Sequence, residues 1–471
     1  MEQLNRKIPL ITVENTYPEK VLMFGEGAFL RAFACYAFDE MNKQNLFNGS
    51  VTIVQPIPEG KIDFLKKQDG LFTVVARGVE NEREVIKTNL ITCVRDCINP
   101  YEEYENYIKR ARNPELRLIV SNTTEAGISY IEGEKFDSRP QASFPGKVTT
   151  FLHERYVFFK GDKSKGLVFL PCELIENNGE ELKKVVQIYA KEWDLGEQFL
   201  KWIDESCIFA NTLVDRIVAG YPQMEAERIN TGLGYRDELL DACELFYFWA
   251  IETSAYLRNE LPLDKIGLNI IFSDDILPYR LRKVRLLNGA HTCLAHAAMF
   301  SGYTTVGETM GDERFKKYIE KLLFKEVIPT LSINRNVLEG FAKSVIERFS
   351  NPFIRHELQG ITLNSVSKFK TRVLPTLLEY QSKFGKIPPI LTFSFAMLII
   401  FYKNGGRFKI IDEEKNITFL RDNSIDTIFK NTSFWGAELH ENEQFCEAVN
   451  EYFRFIKTHG VKPLIERLIN D

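Results

Sequence analysis

Paired cysteines are missing from this sequence: its eight cysteines, Cys35, Cys93, Cys97, Cys172, Cys207, Cys243, Cys293 and Cys446, never stand in a CxxC spacing. Most sit in apolar runs such as Phe33-Ala34-Cys35-Tyr36-Ala37, the setting of buried free thiols rather than of a disulfide framework. Histidine is scarce, six in 471 residues, and no HExxH accompanies it. A zinc-dependent dehydrogenase therefore lacks its ligands, and no metal is expected. No GxSxG elbow or Walker A loop is present, which argues against serine-hydrolase and P-loop chemistry. No apolar run approaches the roughly 18 residues of a membrane span. Met1 to Lys7 has no apolar stretch behind it, so no signal peptide is expected and a cytoplasmic protein is. An excess of positive charge is missing too. Lys plus Arg number 60 against 65 Asp plus Glu, a net charge of -5. Neither nucleic acid nor an anionic membrane is an expected partner, and an anionic small molecule would need a local cationic pocket.

What is present is an ordinary globular composition, 44% hydrophobic and 27% charged, in a chain long enough for two domains. The first half alternates strand and helix patterns. Strands are predicted at Lys20 to Phe24, Val51 to Val54, Phe72 to Ala76, Leu116 to Val120 and Leu167 to Leu170. Helices are predicted at Phe29 to Asn42, Tyr101 to Ala111 and Gly179 to Ala190, where apolar residues recur at helical spacing. This alternation implies a parallel sheet covered on both faces. From about Pro278 the pattern turns helical, through Arg280 to Phe300, Arg314 to Leu323, the apolar run Ile390 to Tyr402, Phe445 to Lys457 and Pro463 to Ile469. The expected architecture is an α/β Rossmann-type doubly wound domain over residues 1–275, followed by a mostly α-helical domain over 276–471.

Three segments of the first half fall where such a sheet meets its ligands. Phe24-Gly25-Glu26-Gly27-Ala28-Phe29-Leu30-Arg31 links the first strand to the first helix. Its glycines permit a tight turn and close approach to a pyrophosphate, although Leu30 stands where the usual fingerprint has a third glycine. After the second strand, Gln55 to Lys61 carries no acid at the strand tip. Glu59 could reach a ribose hydroxyl and Lys61 a phosphate, so NAD and NADP stay open on this evidence. Ser121-Asn122-Thr123-Thr124-Glu125-Ala126-Gly127 follows another strand, and its small polar side chains suit cofactor contacts as well as they suit a plain turn.

The segment richest in chemistry is Lys283-Val284-Arg285-Leu286-Leu287-Asn288-Gly289-Ala290-His291. On a uniform α-helix Asn288 and His291 lie about 140° and 80° around from Lys283, so all three can face one cleft. Reducing a carbonyl by hydride needs a proton donor working near neutral pH and a polar grip on the nascent alkoxide. A lysine withdrawn from water can exchange such a proton, and an amide and an imidazole can supply the grip.

Together these residues resemble the mannitol dehydrogenase family of long-chain polyol dehydrogenases. The likeness runs from about Lys20 to Glu466. It rests on the Lys-x4-Asn-x2-His spacing preceded by Phe272 to Tyr279, the Gly25-x-Gly27-x-Phe29-x-Arg31 turn, Asn211 to Ile217, and Arg348-Phe349-Ser350-Asn351-Pro352. The resemblance implies a metal-independent, NAD-dependent oxidoreductase. In it Lys283 is the general acid/base, Asn288 and His291 position the carbonyl oxygen, and Asp215 helps set the lysine's protonation, though an Asp beside Arg216 equally suits a buried ion pair. It implies cofactor contacts from Phe24, Gly25, Gly27, Phe29, Arg31, Asn122, Thr123 and Thr124. Ser121 to Gly127, Cys172 to Ile175 and Asn364 to Arg372 point to a branch acting on a hexuronate. Mannitol dehydrogenases carry an asparagine where Leu174 aligns and an arginine where Gly360 aligns, so the sugar pocket differs. Lys368, Arg372, Arg355 and His356, close in sequence, are the candidates for holding a substrate carboxylate. Reduction of another uronate or oxidation of mannitol are alternatives within the family. A dinucleotide-binding sensor is the alternative outside catalysis, although a sensor has no need of a proton-transfer lysine. A monomer and a homodimer both fit.

Overall fold

The computed structural model describes residues 1–9, 17–80, 83–123, 127–253, 255–403 and 405–470. Thirteen strands are found among them. They are β1 (Glu19–Phe24), β2 (Ser50–Val54), β3 (Phe72–Glu80), β4 (Arg83–Ile91), β5 (Val94–Ile98), β6 (Leu118–Ser121), β7 (Val168–Pro171), β8 (Ile208–Phe209), β9 (Thr212–Asp215), β10 (Val218–Gly220), β11 (Asp241–Glu244), β12 (Phe248–Glu252) and β13 (Ile270–Ser273). The chain divides into two compact units, Met1–Ile276 and Leu277–Asp471.

In the first unit six strands form a sheet in the order β5-β2-β1-β6-β7-β8, and every pairing in it is parallel. This is the doubly wound arrangement, with the order reversing between β1 and β6. Alternate residues of each strand feed opposite cores, as the two-residue period of a strand requires. Val21, Met23, Val51, Ile53 and Val120 join one core; Leu22, Phe24, Val54, Ile119 and Phe169 join the other. Burial on both faces explains why these strands read as unbroken apolar runs.

The expectation for Phe72 to Ala76 needs correction. It is a strand, but not of the parallel sheet. β3 pairs antiparallel with β4 in a separate four-stranded sheet of order β10-β11-β3-β4. The two residues between β3 and β4 allow only a hairpin, since a parallel return needs a long crossover. The parallel sheet's place beside β2 goes instead to β5, whose Val94-Arg95-Asp96-Cys97-Ile98 sequence carries two charges in five residues. A third sheet, β13-β12-β9, completes this unit.

The second unit is helical. The Pro389–Tyr402 helix is buried on nearly every side, as an all-apolar helix must be, and packs against the helices Gly289–Phe300 and Glu443–His459. Its first backbone N–H groups have no partner within the helix. The buried Glu326 carboxylate accepts them, from Ile390 at 2.8 Å and Leu391 at 2.9 Å. Burial raises that carboxyl to about 7, against the pull of the two N–H donors. The last helix, Val461–Asn470, begins two residues before the predicted Pro463, which still falls in the first turn where its missing N–H costs nothing. Among the described residues no helix is long and apolar enough to cross a membrane.

Candidate active site

In the first unit the carboxyl edge of the parallel sheet carries the glycine turn. Gly25 has φ +130°, and a Cβ there would come within 3.1 Å of Leu30 Cδ1 and 3.3 Å of the Asn122 carbonyl oxygen. Both the backbone conformation and the close approach of the turn after β6 therefore demand glycine. Gly27 is different. It is extended at the start of the helix, and nothing lies within 4 Å of where its Cβ would stand. A glycine turn with open space beside a helix N-terminus, at the point where strand order reverses, fits a dinucleotide's pyrophosphate.

The other residues expected at the cofactor occupy distinct settings. Phe24 is in the core, its ring edge-on to Tyr107 and Phe144, and reaches the turn through its backbone carbonyl, which accepts from the Asn122 N–H at 3.1 Å. Phe29 is half-buried and stacks on Phe33, which stacks in turn on Tyr247. Arg31 is buried within a π-helical segment, Arg31–Cys35. Its guanidinium donates to the Leu239 carbonyl at 2.6 Å, lies 3.5 Å from Asp241 and covers the Phe72 ring. It thus ties the first helix to the second sheet. Burial lifts the Asp241 carboxyl to about 7, against the pull of Arg31.

Asn122 and Thr123 are half-buried after β6, and Thr124 lies outside the described residues. The Thr123 hydroxyl and N–H both donate to Glu173 Oε1 at 2.9 Å, and the Ser121 hydroxyl donates to Glu173 Oε2 at 3.1 Å. After β2 the Gln55 amide donates to the Ile57 and Pro58 carbonyls, which leaves Glu59 and Lys61 exposed. Asp215 ends β9 and is buried. Its neighbour Arg216 turns to the Glu244 and Ala32 carbonyls and to the faces of Tyr36 and Tyr247.

In the second unit Lys283 and His291 are 7% and 6% exposed, and Asn288 is half-buried. The helix that carries them is not uniform. Lys283–Asn288 is a π-helical segment between Leu277–Arg282 and Gly289–Phe300, and the Gly289 N–H bonds the Val284 carbonyl, five residues back. A turn widened by one residue brings Asn288 back over Lys283, where a uniform α-helix sets them about 140° apart. Gly289 then lets this helix approach the end of the Ser365–Arg372 helix, since a Cβ would meet the Arg372 carbonyl oxygen at 3.2 Å.

The His291 ring stacks on Phe349 at 4.0 Å between centroids and meets the edge of His356 at 4.7 Å. Its Nε2 is buried with no hydrogen-bond partner. Burial, then the nearby His356, Arg348, Arg372 and Lys368, push its pKa well below the usual histidine value, so the ring is neutral. His356 is shifted the same way by burial, Arg348 and Lys368. His296, next along the helix, shares a 3.0 Å hydrogen bond with the Ser365 hydroxyl and is pushed down to about 3 by burial and Lys368.

Lys368 and Arg372 are half-buried on one short helix, and Lys368 Nζ donates to the Ile361 carbonyl at 2.8 Å. Arg355 stands apart. It is exposed and donates to the Glu357 carboxylate at 2.6 Å. Two contributors had no role assigned from sequence, Glu173 and Arg348. Glu173 is an acid at the end of the wholly buried β7, and Arg348 precedes the phenylalanine that stacks on His291. Both lie inside segments noted for family likeness, so an acid or base at the edge of an apolar run was the available signal.

Residues 19–265 match the mannitol dehydrogenase Rossmann domain and residues 275–457 match the mannitol dehydrogenase C-terminal domain. The chain belongs to the mannitol dehydrogenase family. It is an oxidoreductase of that family. An altronate oxidoreductase of Yersinia enterocolitica is 40% identical over 99% of both chains. One from Escherichia coli is 45% identical over 84% of this chain and 83% of its own. Mannitol 2-dehydrogenase of Pseudomonas fluorescens, solved as a ternary complex with NAD and D-mannitol, shares the fold with a TM-score of 0.77 at 20% identity, covering both chains fully.

Proposed function

We propose that the chain is an NAD-dependent tagaturonate reductase, interconverting tagaturonate and altronate. The observation that carries this reading is the environment of His291. A buried imidazole nitrogen without a partner lies within electrostatic reach of Arg348, Arg372 and Lys368, a concentration of positive charge that suits a sugar acid better than a neutral polyol. The names of relatives at 40–45% identity support the same substrate.

When bound, NAD exchanges the hydride with the sugar. The chain's own residues manage the proton and the oxygen. Lys283 delivers a proton to the keto oxygen during reduction and, when neutral, removes it during oxidation. Asn288 and the neutral His291 hydrogen-bond that oxygen as charge develops on it. Asp215 keeps the part the family likeness gives it, support for the lysine's proton. Lys368 and Arg372 take the carboxylate, with Arg348 and His356 as further contributors. Arg355, exposed and engaged by Glu357, stands outside this group. On the cofactor side Gly25, Gly27 and Asn122 approach the dinucleotide directly, while Phe24, Phe29, Arg31 and Thr123 shape the surrounding turn.

The test is Lys368→Met, assayed with tagaturonate and with tagatose, which lacks the carboxylate. A charge-assisted hydrogen bond is worth about 1.5–3 kcal/mol. The KM for tagaturonate should therefore rise roughly tenfold to a hundredfold, with little change for tagatose. Equal losses on both sugars would remove the carboxylate from this group of cations.

A further inference from the structure

The turn after β6 is held by a carboxylate to which neither the sequence motifs nor the proposed chemistry gives a task. Glu173, 2% exposed, stands just beyond β7 and accepts three hydrogen bonds from the neighbouring strand end. These come from the Ser121 hydroxyl on one oxygen, and from the Thr123 N–H and hydroxyl on the other. That same turn leans on the glycine loop, since the Asn122 carbonyl oxygen lies where a side chain at Gly25 would have to go. Glu173 is anchored from behind. The Asn178 amide donates to the Glu173 carbonyl at 3.0 Å and to the Thr212 carbonyl at 3.1 Å, and Asn178 Oδ1 accepts from the Thr212 N–H at 2.8 Å. Thr212 opens β9, the strand that ends in Asp215.

We propose that Glu173 is a positioning residue for the cofactor: its carboxylate fixes the Ser121-Asn122-Thr123 turn against the glycine loop and, through Asn178, couples that turn to the strand bearing Asp215. The proposal rests on the reading of this sheet edge as the NAD site. Burying a carboxylate is costly unless donors compensate it. Three donors on Ser121 and Thr123 give that compensation a direction, because they can converge only when the turn is in one conformation. A plain helix cap would need one of them.

Glu173→Met keeps much of the side-chain volume and removes both acceptor oxygens, so the Ser121 hydroxyl and the Thr123 N–H and hydroxyl lose their common partner. NADH affinity, read by quenching of protein fluorescence, should weaken about tenfold, with KM for NADH rising in step and turnover at saturating NADH falling far less. Glu173→Gln is the conservative variant: its oxygen still accepts from Thr123, and the Ser121 hydroxyl can turn to accept from its amide. E173Q should therefore keep most of the affinity that E173M loses. Wild-type affinity in E173M, turnover that falls as steeply as affinity, or an E173Q as weak as E173M would each overturn the proposal. A wild-type protein that binds no NADH would overturn it together with the NAD reading, whereas unchanged binding in E173M would overturn the proposal alone.

Discussion

The two units place several of their cations differently. In the first, three buried guanidinium groups donate to backbone carbonyls. Arg155 donates to the carbonyls of Lys165, Ala111, Asn113 and Leu116, Arg216 to those of Glu244 and Ala32, and Arg31 to that of Leu239. These side chains are scaffold; in the proposed reading the surface offered to the cofactor is itself backbone, at Gly25, Gly27 and Asn122. In the second unit the cations Arg348, Arg372 and Lys368 lie within electrostatic reach of an imidazole whose Nε2 has no partner. Backbone suits a cofactor that every relative of a fold can share, because N–H groups at a helix N-terminus recognise any pyrophosphate. Side chains suit a substrate, because charge and spacing can change there without altering the fold.

That contrast can be broken from either side. The largest effect is expected at Lys283. Lys283→Met removes the proposed proton donor while keeping the length of the side chain, and turnover should fall by about 10²–10⁴, the range of general acid–base contributions. NADH affinity should hardly change. A drop confined to cofactor affinity would move the lysine out of the chemistry. The smaller effect is expected at the glycine turn. Gly25→Val forces a branched side chain into φ +130° and against the Asn122 carbonyl. The strain is about 1–3 kcal/mol, and KM for NADH should rise roughly tenfold with turnover at saturation kept within a few-fold. If turnover fell as sharply as in the lysine variant, the division of labour between backbone and side chains would fail.

Much of this arrangement was legible in the residues. β1, β2, β6 and β7 announce themselves because strands buried on both faces are unbroken apolar runs. β5 did not, since Arg95 and Asp96 interrupt it, and an edge position in the sheet tolerates them. β3 was legible as a strand but not as a hairpin partner, because its destination depends on the two residues that follow it. The family spacing of Lys283, Asn288 and His291 was visible, while the π-helical turn that brings the first two into line was not. A widened turn leaves no periodic signature in six residues; it shows only in the Gly289 to Val284 hydrogen bond. Arg348 and Glu173 were hidden for a related reason. Their roles arise from partners distant in sequence, Glu173 meeting residues 50 and 52 positions earlier.

The central claim, reduction of a sugar acid at the expense of NADH, is tested most directly by following NADH absorbance with tagaturonate, fructuronate and fructose side by side. The account predicts the highest kcat/KM for tagaturonate and little turnover of fructose. Faster turnover of fructose than of either uronate would contradict it, because the cations around His291 would then face no carboxylate.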